Sequence, residues 1–412
     1  MHSSLWERPR CARWGIRKLS IATVVAFYTA MLASVVCAEV PPLRFGMSTA
    51  ISGPAADLGQ QMRDGVLAAF AEANAAGGIQ GRALELIVLD DGYEPARTVP
   101  NMHALIEEHQ VLAIVGNVGT PTAIAAIPIA TRSKTLFYGA FTGAGALRKT
   151  PPDRYVINFR ASYVEETAAM VDALVQHGVA PPEIGFFTQR DGYGDAGFDG
   201  GMLALNGHGV HRKDVAHGRY NRNTSDVEAG LADLMLHEPP PKAVVMVGAY
   251  APCAKFIRTS LEVGFRPQFL NVSFVGTTSL IDALGPDSEG VVITQVVPHY
   301  DAPLPVANDY RGALQASYPD LQASFGSFEG YIAARLLIRG VQSVDGPVTR
   351  ESLVEALEQL GDVDLGLGTT LHLSKDERQA CHRVWPTVVR NGKAIALKWD
   401  APAESAVEAS DE

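Results

Sequence analysis

Cysteine, basic residues and long apolar runs are all scarce in this sequence. Only four of its 412 residues are cysteines, and two of those lie within the first 37 positions. The other two, Cys253 and Cys381, are too few for a disulfide scaffold and fit either one disulfide or two buried thiols. Lysine and arginine total 34 against 45 acidic residues, for a formal charge of −11. That balance argues against nucleic acid as a partner.

The motifs that carry catalysis or hold a cofactor are also missing. The sequence has no G-x-S-x-G nucleophile elbow, no H-E-x-x-H zinc motif and no P-loop. Three histidines between positions 208 and 217 flank glycine and arginine, which favours a surface turn over a metal site. Three aspartates between 191 and 199 have the wrong spacing for a calcium loop and are interpreted as helix-capping acids. We therefore predict no enzyme activity, no metal and no cofactor.

The one long apolar run lies near the N-terminus. Residues 21–36 carry no charge, follow a basic stretch and lead into Val36-Cys37-Ala38, which is typical of a signal peptide cleaved after Ala38. An uncleaved transmembrane anchor is the alternative, although the run is short for a span. A lipoprotein attached through Cys37 is disfavoured by Val36. Removal of residues 1–38 leaves 29 basic and 44 acidic residues, a formal charge of −15, on a chain expected outside the cytoplasm.

Beyond residue 38, short apolar strands alternate with amphipathic helices. Leu43–Met47 is predicted as a strand, residues 57–76 as a helix, and Leu84–Leu89 as a buried parallel strand because it is apolar almost throughout. The alternation restarts near residue 165 and ends in a β-rich stretch at about 369–399. The pattern predicts an α/β fold of two doubly wound parallel-sheet lobes, with a frayed tail at 401–412.

Three polar loops follow predicted strands. They are Ser52-Gly53-Pro54, the segment 116–122 and the segment 139–143. Their small residues, hydroxyls and backbone N–H groups can hold a carboxylate without a basic side chain. One such loop alone is more often a helix cap. Three loops that converge at the carboxyl edge of one sheet predict a binding site.

The order and spacing of these segments resemble a known family. The opening stretch carries the most specific matches, which are Ser52-Gly53-Pro54, Gly59, Gly65, Asn74–Ile79, Gly81-Arg82 and Asp90-Asp91. Further matches are Gly116–Thr122, Phe159-Arg160, Tyr193-Gly194, Glu289-Gly290-Val291 and Glu329-Gly330-Tyr331. Over nearly all of 43–399 the sequence is similar to type I periplasmic solute-binding proteins of the leucine/isoleucine/valine-binding kind.

The resemblance implies a monomer of two lobes, joined by three crossovers, that closes on a small carboxylate such as an amino acid. Lobe 1 would comprise 39–160 and 298–366, and lobe 2 would comprise 161–297 and 367–400. The implied location is the periplasm, and the implied partners are the membrane subunits of an ABC importer. The alternatives are a receptor that feeds a transmembrane sensor, a binder of other carboxylates or amides, and an enzyme on this fold.

Five predicted site residues belong to the first lobe by this resemblance. The Thr120 hydroxyl would bind the ligand carboxylate, and the backbone carbonyl of Ala140 would accept from an ammonium. Thr142 would touch both groups. Ser52 would contribute from the first loop, where Leu58 would form an apolar wall.

The remaining site residues include one departure from the family pattern. Tyr193 and Tyr250 would cover the ligand on closure. Ser273 stands where the amino-acid binders carry a glutamate for the ammonium. A buried ammonium without a countercharge is costly, so either Glu329 or Glu165 supplies the charge or the ligand is not an α-amino acid.

Overall fold

A computed structural model describes residues 40–399. The predicted signal peptide at 1–38 and the predicted tail at 401–412 lie outside the described residues. Residues 42–399 all belong to one compact unit. In this part of the chain no helix is both long enough and apolar enough to cross a bilayer.

Five parallel strands form the first sheet, in the order β2-β1-β3-β4-β5. They are Leu43–Thr49 (β1), Leu84–Asp90 (β2), Ala113–Val115 (β3), Leu136–Tyr138 (β4) and Val156–Ile157 (β5). The chain order reverses between β1 and β3, since β2 lies on one side of β1 and β3 on the other. Loops that leave the carboxyl ends of strands at such a switch point diverge and form a crevice.

The second sheet has seven strands, in the order β14-β13-β10-β9-β8-β6-β7. They are Ile184–Gln189 (β6), His217–Tyr220 (β7), Ala243–Val247 (β8), Gln268–Asn271 (β9), Val292–Gln295 (β10), Trp385–Arg390 (β13) and Lys393–Ala396 (β14). Strands β6 to β10 are parallel, whereas β13 and β14 are antiparallel additions. Here the switch point lies between β6 and β8. A separate antiparallel pair consists of Gly361–Val363 (β11) and Leu371–Leu373 (β12).

Helices connect the strands and cover the sheets. They are Ala56–Ala75 (α1), Pro95–His103 (α2), Thr120–Arg132 (α3), Tyr163–Gln176 (α4), Gly192–Gly207 (α5), Glu228–Met235 (α6), Tyr250–Glu262 (α7), Thr277–Leu284 (α8), Pro305–Ser317 (α9), Phe325–Gln342 (α10) and Arg350–Glu358 (α11). Side-chain caps begin several of them. Ser162 and Glu165 form a capping box at α4, and Asp191 caps α5 by accepting from Tyr193 N.

The doubly wound α/β prediction is confirmed, and two parts of the chain depart from expectation. The surface-turn prediction was wrong for His217, which lies in β7 with its ring 3.8 Å from that of Phe198, centroid to centroid, and Nε2 2.8 Å from Thr188 Oγ1. As an edge strand β7 tolerates polar residues, which hid it in the sequence. Helix α8 was also missed.

The two open alternatives for the cysteines resolve into one. Cys253 and Cys381 are both buried free thiols. Burial raises the pKa of the Cys381 thiol to about 11, so the neutral thiol is the stable form.

The lobe boundaries at 160, 297 and 366 stay a prediction.

Candidate functional site

The loops after β3 and β4 converge as the sequence predicts. Thr120, the first residue of α3, and Thr142 lie with their hydroxyl oxygens 2.7 Å apart, and both are buried. A bridge between Val118 and Phe141 ties the two loops together. The result is a pair of adjacent hydroxyls beyond the carboxyl edge of the first sheet.

Ala140 and Ser52 are placed differently with respect to this hydroxyl pair. Ala140 is buried beside it, and its carbonyl accepts from Thr142 N at 2.7 Å. Ser52 is exposed, and its hydroxyl donates to Asp90 Oδ2 at 2.5 Å. The Ser52 side chain is therefore engaged in holding its own loop to the end of β2.

An aromatic cluster connects the loops of the two sheets. Phe274, in the segment after β9, is fully buried, and its ring lies 4.5 Å from that of Tyr193, at the start of α5. Phe274 also lies 5.5 Å from Phe141 and 6.0 Å from Tyr93, both on loops of the first sheet. These centroid distances are typical of favourable aromatic pairs. Tyr193 thus connects to the loops of the first sheet through Phe274, and its predicted contact with a ligand stays a prediction.

Two glycines let the loops of the second sheet approach the first. A Cβ at Gly192 would lie 3.7 Å from Thr120 Cγ2, so the start of α5 stands beside the hydroxyl pair. Gly276 adopts a φ of +80°, and a Cβ there would lie 2.6 Å from Leu58 Cδ2. Leu58 is buried at this contact, and Tyr250 is half-buried next to it. Leu58 and Tyr250 therefore both lie beside Gly276.

A buried charge cluster lies behind the aromatic rings. Arg160 is fully buried, with its guanidinium carbon 4.7 Å from the centroid of the Phe141 ring. Its Nη2 donates to Ser273 Oγ and lies 3.5 Å from Glu166 Oε1, while its Nε lies 3.6 Å from Glu329 Oε1. Glu166 accepts from Ser273 N at 2.8 Å and Ser273 Oγ at 3.0 Å. Ser273 is thus flanked by an arginine and a carboxylate of the chain itself.

The two carboxylates proposed to replace the missing glutamate have different surroundings. Burial raises the pKa of Glu329 to about 7, although Arg160 opposes this. Glu165 is only partly buried, and hydrogen bonds from His382 and Ser162 lower its pKa to about 2 against the effect of burial. Glu165 caps α4 and pairs with His382 at 2.7 Å. Of these two, Glu329 lies in the Arg160 cluster and Glu165 is engaged with His382, while the carboxylate bonded to Ser273 itself is Glu166.

Polar contacts also join the two sheets at the edge of this region. Gln189 Nε2 donates to Tyr93 Oη at 3.1 Å. Next to Tyr93, Glu94 accepts from Arg222 Nη2 at 2.9 Å and from Asn223 Nδ2 at 2.6 Å. These bonds connect the end of β2 to the ends of β6 and β7 and hold the loops together.

Sequence reasoning missed several residues of this region. Phe159-Arg160 matches the family pattern but has no predicted site role. Glu166 was not predicted, because the sequence analysis selected its neighbour Glu165 as the candidate carboxylate. Phe274 is adjacent to Ser273, but its burial between the two sheets has no local signal. Within residues 40–399, no group of three or more His, Cys, Asp or Glu side chains could hold a metal ion.

Comparison with known proteins shows which family this chain resembles. A family model described as periplasmic binding protein matches residues 42–394. The Leu/Ile/Val-binding protein homolog 7 of Brucella abortus is 23% identical over 385 residues, which cover 89% of this chain and 93% of that protein. An amino acid binding protein of Pseudomonas aeruginosa is 24% identical over 334 residues, covering 77% of this chain and 84% of that protein.

A solved structure gives a more similar relative. The crystal structure of a possible leucine/isoleucine/valine-binding protein from Rhodopirellula baltica is 56% identical, with a TM-score of 0.87. The match covers 89% of this chain and 98% of that one. The resemblance and the fold predicted from the sequence are thereby confirmed. The chain belongs to the periplasmic binding protein family.

Proposed function

We propose that this chain is the extracytoplasmic solute-binding protein of an ABC importer. It binds a small carboxylate, such as an amino acid or an analogue, in the cleft between its two lobes. The hydroxyl pair Thr120–Thr142 carries the proposal, because it stands at a switch point of one sheet and faces the aromatic loops of the other. Two relatives named for binding amino acids or Leu/Ile/Val support this ligand class.

Binding proceeds by closure of a hinge. The ligand carboxylate first meets Thr120, Thr142 and the backbone beside Ala140 on the first lobe. The second lobe then brings Tyr193, Tyr250 and Phe274 over the ligand. Because the ligand touches both lobes only in the closed form, its binding shifts the population toward that form.

The partners follow from the closed shape. The membrane subunits of an importer recognise the closed form and release the ligand by opening it. The mature protein works in the periplasm after cleavage of residues 1–38, and it performs no chemistry on the ligand.

A receptor that presents the same ligand to a transmembrane sensor is the alternative, and deletion of the gene separates the two roles. Loss of uptake of the labelled ligand supports the importer, whereas intact uptake supports the sensor.

The binding proposal is tested on the mature chain, residues 39–412. A ligand at 100 times its dissociation constant should stabilise the fold by about 2.7 kcal/mol, which a thermal melt detects. The screen covers amino acids, their deaminated acids and their amides. If no carboxylate shifts the melt, the proposed ligand class is wrong.

Variants of the hydroxyl pair locate the site. Thr120→Val and Thr142→Val each remove a hydroxyl that would bind the carboxylate, so affinity should fall about tenfold or more. Thr131→Val is the matched control, because its buried hydroxyl lies at the other end of α3 and has no hydrogen-bond partner. Equal affinity of the Thr120 and Thr131 variants would contradict this site.

A further inference from the structure

Two buried side chains near the hydroxyl pair have hydrogen-bond donors without partners. Arg160 uses only Nη2, which donates to Ser273, while its Nε and Nη1 are buried with no hydrogen-bond partner. The Tyr163 hydroxyl is also buried and has no hydrogen-bond partner. Native proteins rarely leave buried donors unpaired. Unlike the unpartnered Thr131 hydroxyl, these donors lie at the candidate site, where a ligand can supply the acceptor.

These donors lie together with Thr142. Tyr163 N donates to the carbonyl oxygen of Gly143 at 2.8 Å, which places Tyr163 beside the residue directly after Thr142. The Arg160 guanidinium stacks over Phe141, the residue directly before Thr142. Arginine, tyrosine and threonine donors therefore face one small region between the two sheets.

The acceptors of this region are already largely occupied. Glu166 accepts from Ser273 N and Oγ and, at 2.6 Å, from Thr294 Oγ1. The Ala140 carbonyl accepts from Thr142 N. Glu329 carries the remaining carboxylate, and it lies 3.6 Å from Arg160 Nε. An ammonium placed here would need Glu329 as its countercharge, but Arg160 already faces that carboxylate, and its guanidinium repels a second cation in a low-dielectric setting.

We propose that Arg160 and Tyr163 bind an oxygen of the ligand, and that the ligand is therefore a small carboxylic acid without an ammonium group. A 2-oxo acid fits this donor set. Its carboxylate would accept from Thr120 and Thr142, and its keto oxygen from Arg160 Nη1 and the Tyr163 hydroxyl. Its apolar chain would contact Phe274. This inference rests on the proposed function and specifies its ligand.

A matched pair of ligands tests the inference. Leucine and 4-methyl-2-oxopentanoate share their carbon skeleton and differ in the ammonium and keto groups at C2. We expect calorimetric titration of the refolded, ligand-stripped mature protein to show at least tenfold tighter binding of the oxo acid. Tighter binding of leucine would overturn this inference and leave the proposed function standing. Failure of every carboxylate in the screen to bind would overturn both.

Tyr163→Phe is the cleanest variant, because the hydroxyl that it removes has no partner. Its melting temperature should stay the same or rise, while its affinity for 4-methyl-2-oxopentanoate should fall about fivefold or more. Thr131→Val, which also removes an unpartnered buried hydroxyl, should keep the wild-type affinity. Wild-type affinity in Tyr163→Phe would overturn the inference.

Two charge variants separate an acid site from an ammonium site. Arg160→Lys keeps the positive charge but lacks Nη1, so oxo-acid affinity should fall at least tenfold in protein whose melt shows that it is folded. Glu329→Gln removes a negative charge beside the ligand oxygen and should tighten oxo-acid binding at pH 8. Unchanged or weaker oxo-acid binding in Glu329→Gln would overturn the inference.

Discussion

Glu329 is a carboxylate that folding removes from water without enclosing it in hydrogen bonds. It is 3% exposed, and Arg160, which lies 3.6 Å away, also pairs with Glu166. Burial therefore raises the pKa of Glu329 to about 7, and the negative charge of Glu166 adds to the effect. In the unfolded chain the same group titrates near pH 4.5. The difference couples protonation of this residue to folding.

The coupling makes the free energy of unfolding fall as pH rises. Between pH 4.5 and 7 the folded state keeps a proton that the unfolded state has released, so the contribution of Glu329 is complete below pH 4.5 and lost above pH 7. Glu329→Gln mimics the protonated form. It should stabilise the ligand-free protein at pH 8 by up to about 3 kcal/mol and have little effect at pH 4.5.

Thermal melts between pH 4.5 and 8 check this prediction. The control is Glu355→Gln, which removes the charge of an exposed glutamate on α11 and should leave the pH profile unchanged. Parallel wild-type and Glu329→Gln profiles would show that the pKa of Glu329 is the same in the folded and unfolded states and would contradict the raised pKa.

At this scale the sequence predicts the placement of the proposed site residues where that placement depends on the local sequence. Thr120 and Thr142 follow directly after short apolar strands, so the carboxyl-edge rule for parallel sheets brings them together. Arg160 is different, because its role depends on Ser273, which is 113 positions away. Pairing of that kind leaves no periodicity or motif in a single sequence.

Helices α1 and α10 show how glycine sets the distance between elements. A Cβ at Gly65 on α1 would lie 1.9 Å from the backbone oxygen of Ser327 on α10, and one at Gly330 would lie 2.5 Å from the Met62 oxygen. The two backbones therefore approach as closely as they do only because both positions lack a side chain. The same crossing positions α10, which carries Glu329.

Gly65→Ala should force the two helices apart. We expect a loss of about 1–3 kcal/mol in the free energy of unfolding, measured by denaturant titration. Gly312→Ala on α9 is the matched control, since a Cβ there would meet no atom within 4 Å. That variant should gain about 0.5–1 kcal/mol because alanine has less freedom to lose in a helix. A neutral Gly65→Ala would contradict the close crossing.

Whole elements were predictable where their burial is uniform. Strands β4 and β8 have the same bounds in the sequence prediction and the structure, because they are apolar throughout and enclosed between helices. Strand β7 alternates half-buried and buried residues at a sheet edge, and α8 follows a left-handed glycine, Gly276. Both depend on neighbours distant in sequence, so composition alone did not reveal them.

For the whole molecule, the contacts between the two sheets would set how far the proposed cleft opens. Arg222 Nη2 donates to Glu94 across the sheets at 2.9 Å, and its Nη1 donates to Asp191 at 3.3 Å. The Arg222 side chain is 24% exposed and that of Glu94 41%, so solvent weakens the pair without removing it. A pair of this kind contributes about 0.2–1 kcal/mol, enough to change the ratio of open to closed forms.

Arg222→Gln should therefore increase the ratio of open to closed forms in the ligand-free protein up to about fivefold, a change that follows from loss of up to about 1 kcal/mol. Small-angle scattering at low salt should show a larger radius of gyration than for wild type. The difference should shrink in 1 M salt, where an exposed pair is screened within about 3 Å. Arg212→Gln removes an exposed pair with Asp199 on α5, does not affect the contact between the sheets, and should scatter like wild type. An equal increase in both variants would mean that the Arg222–Glu94 pair does not hold the sheets together.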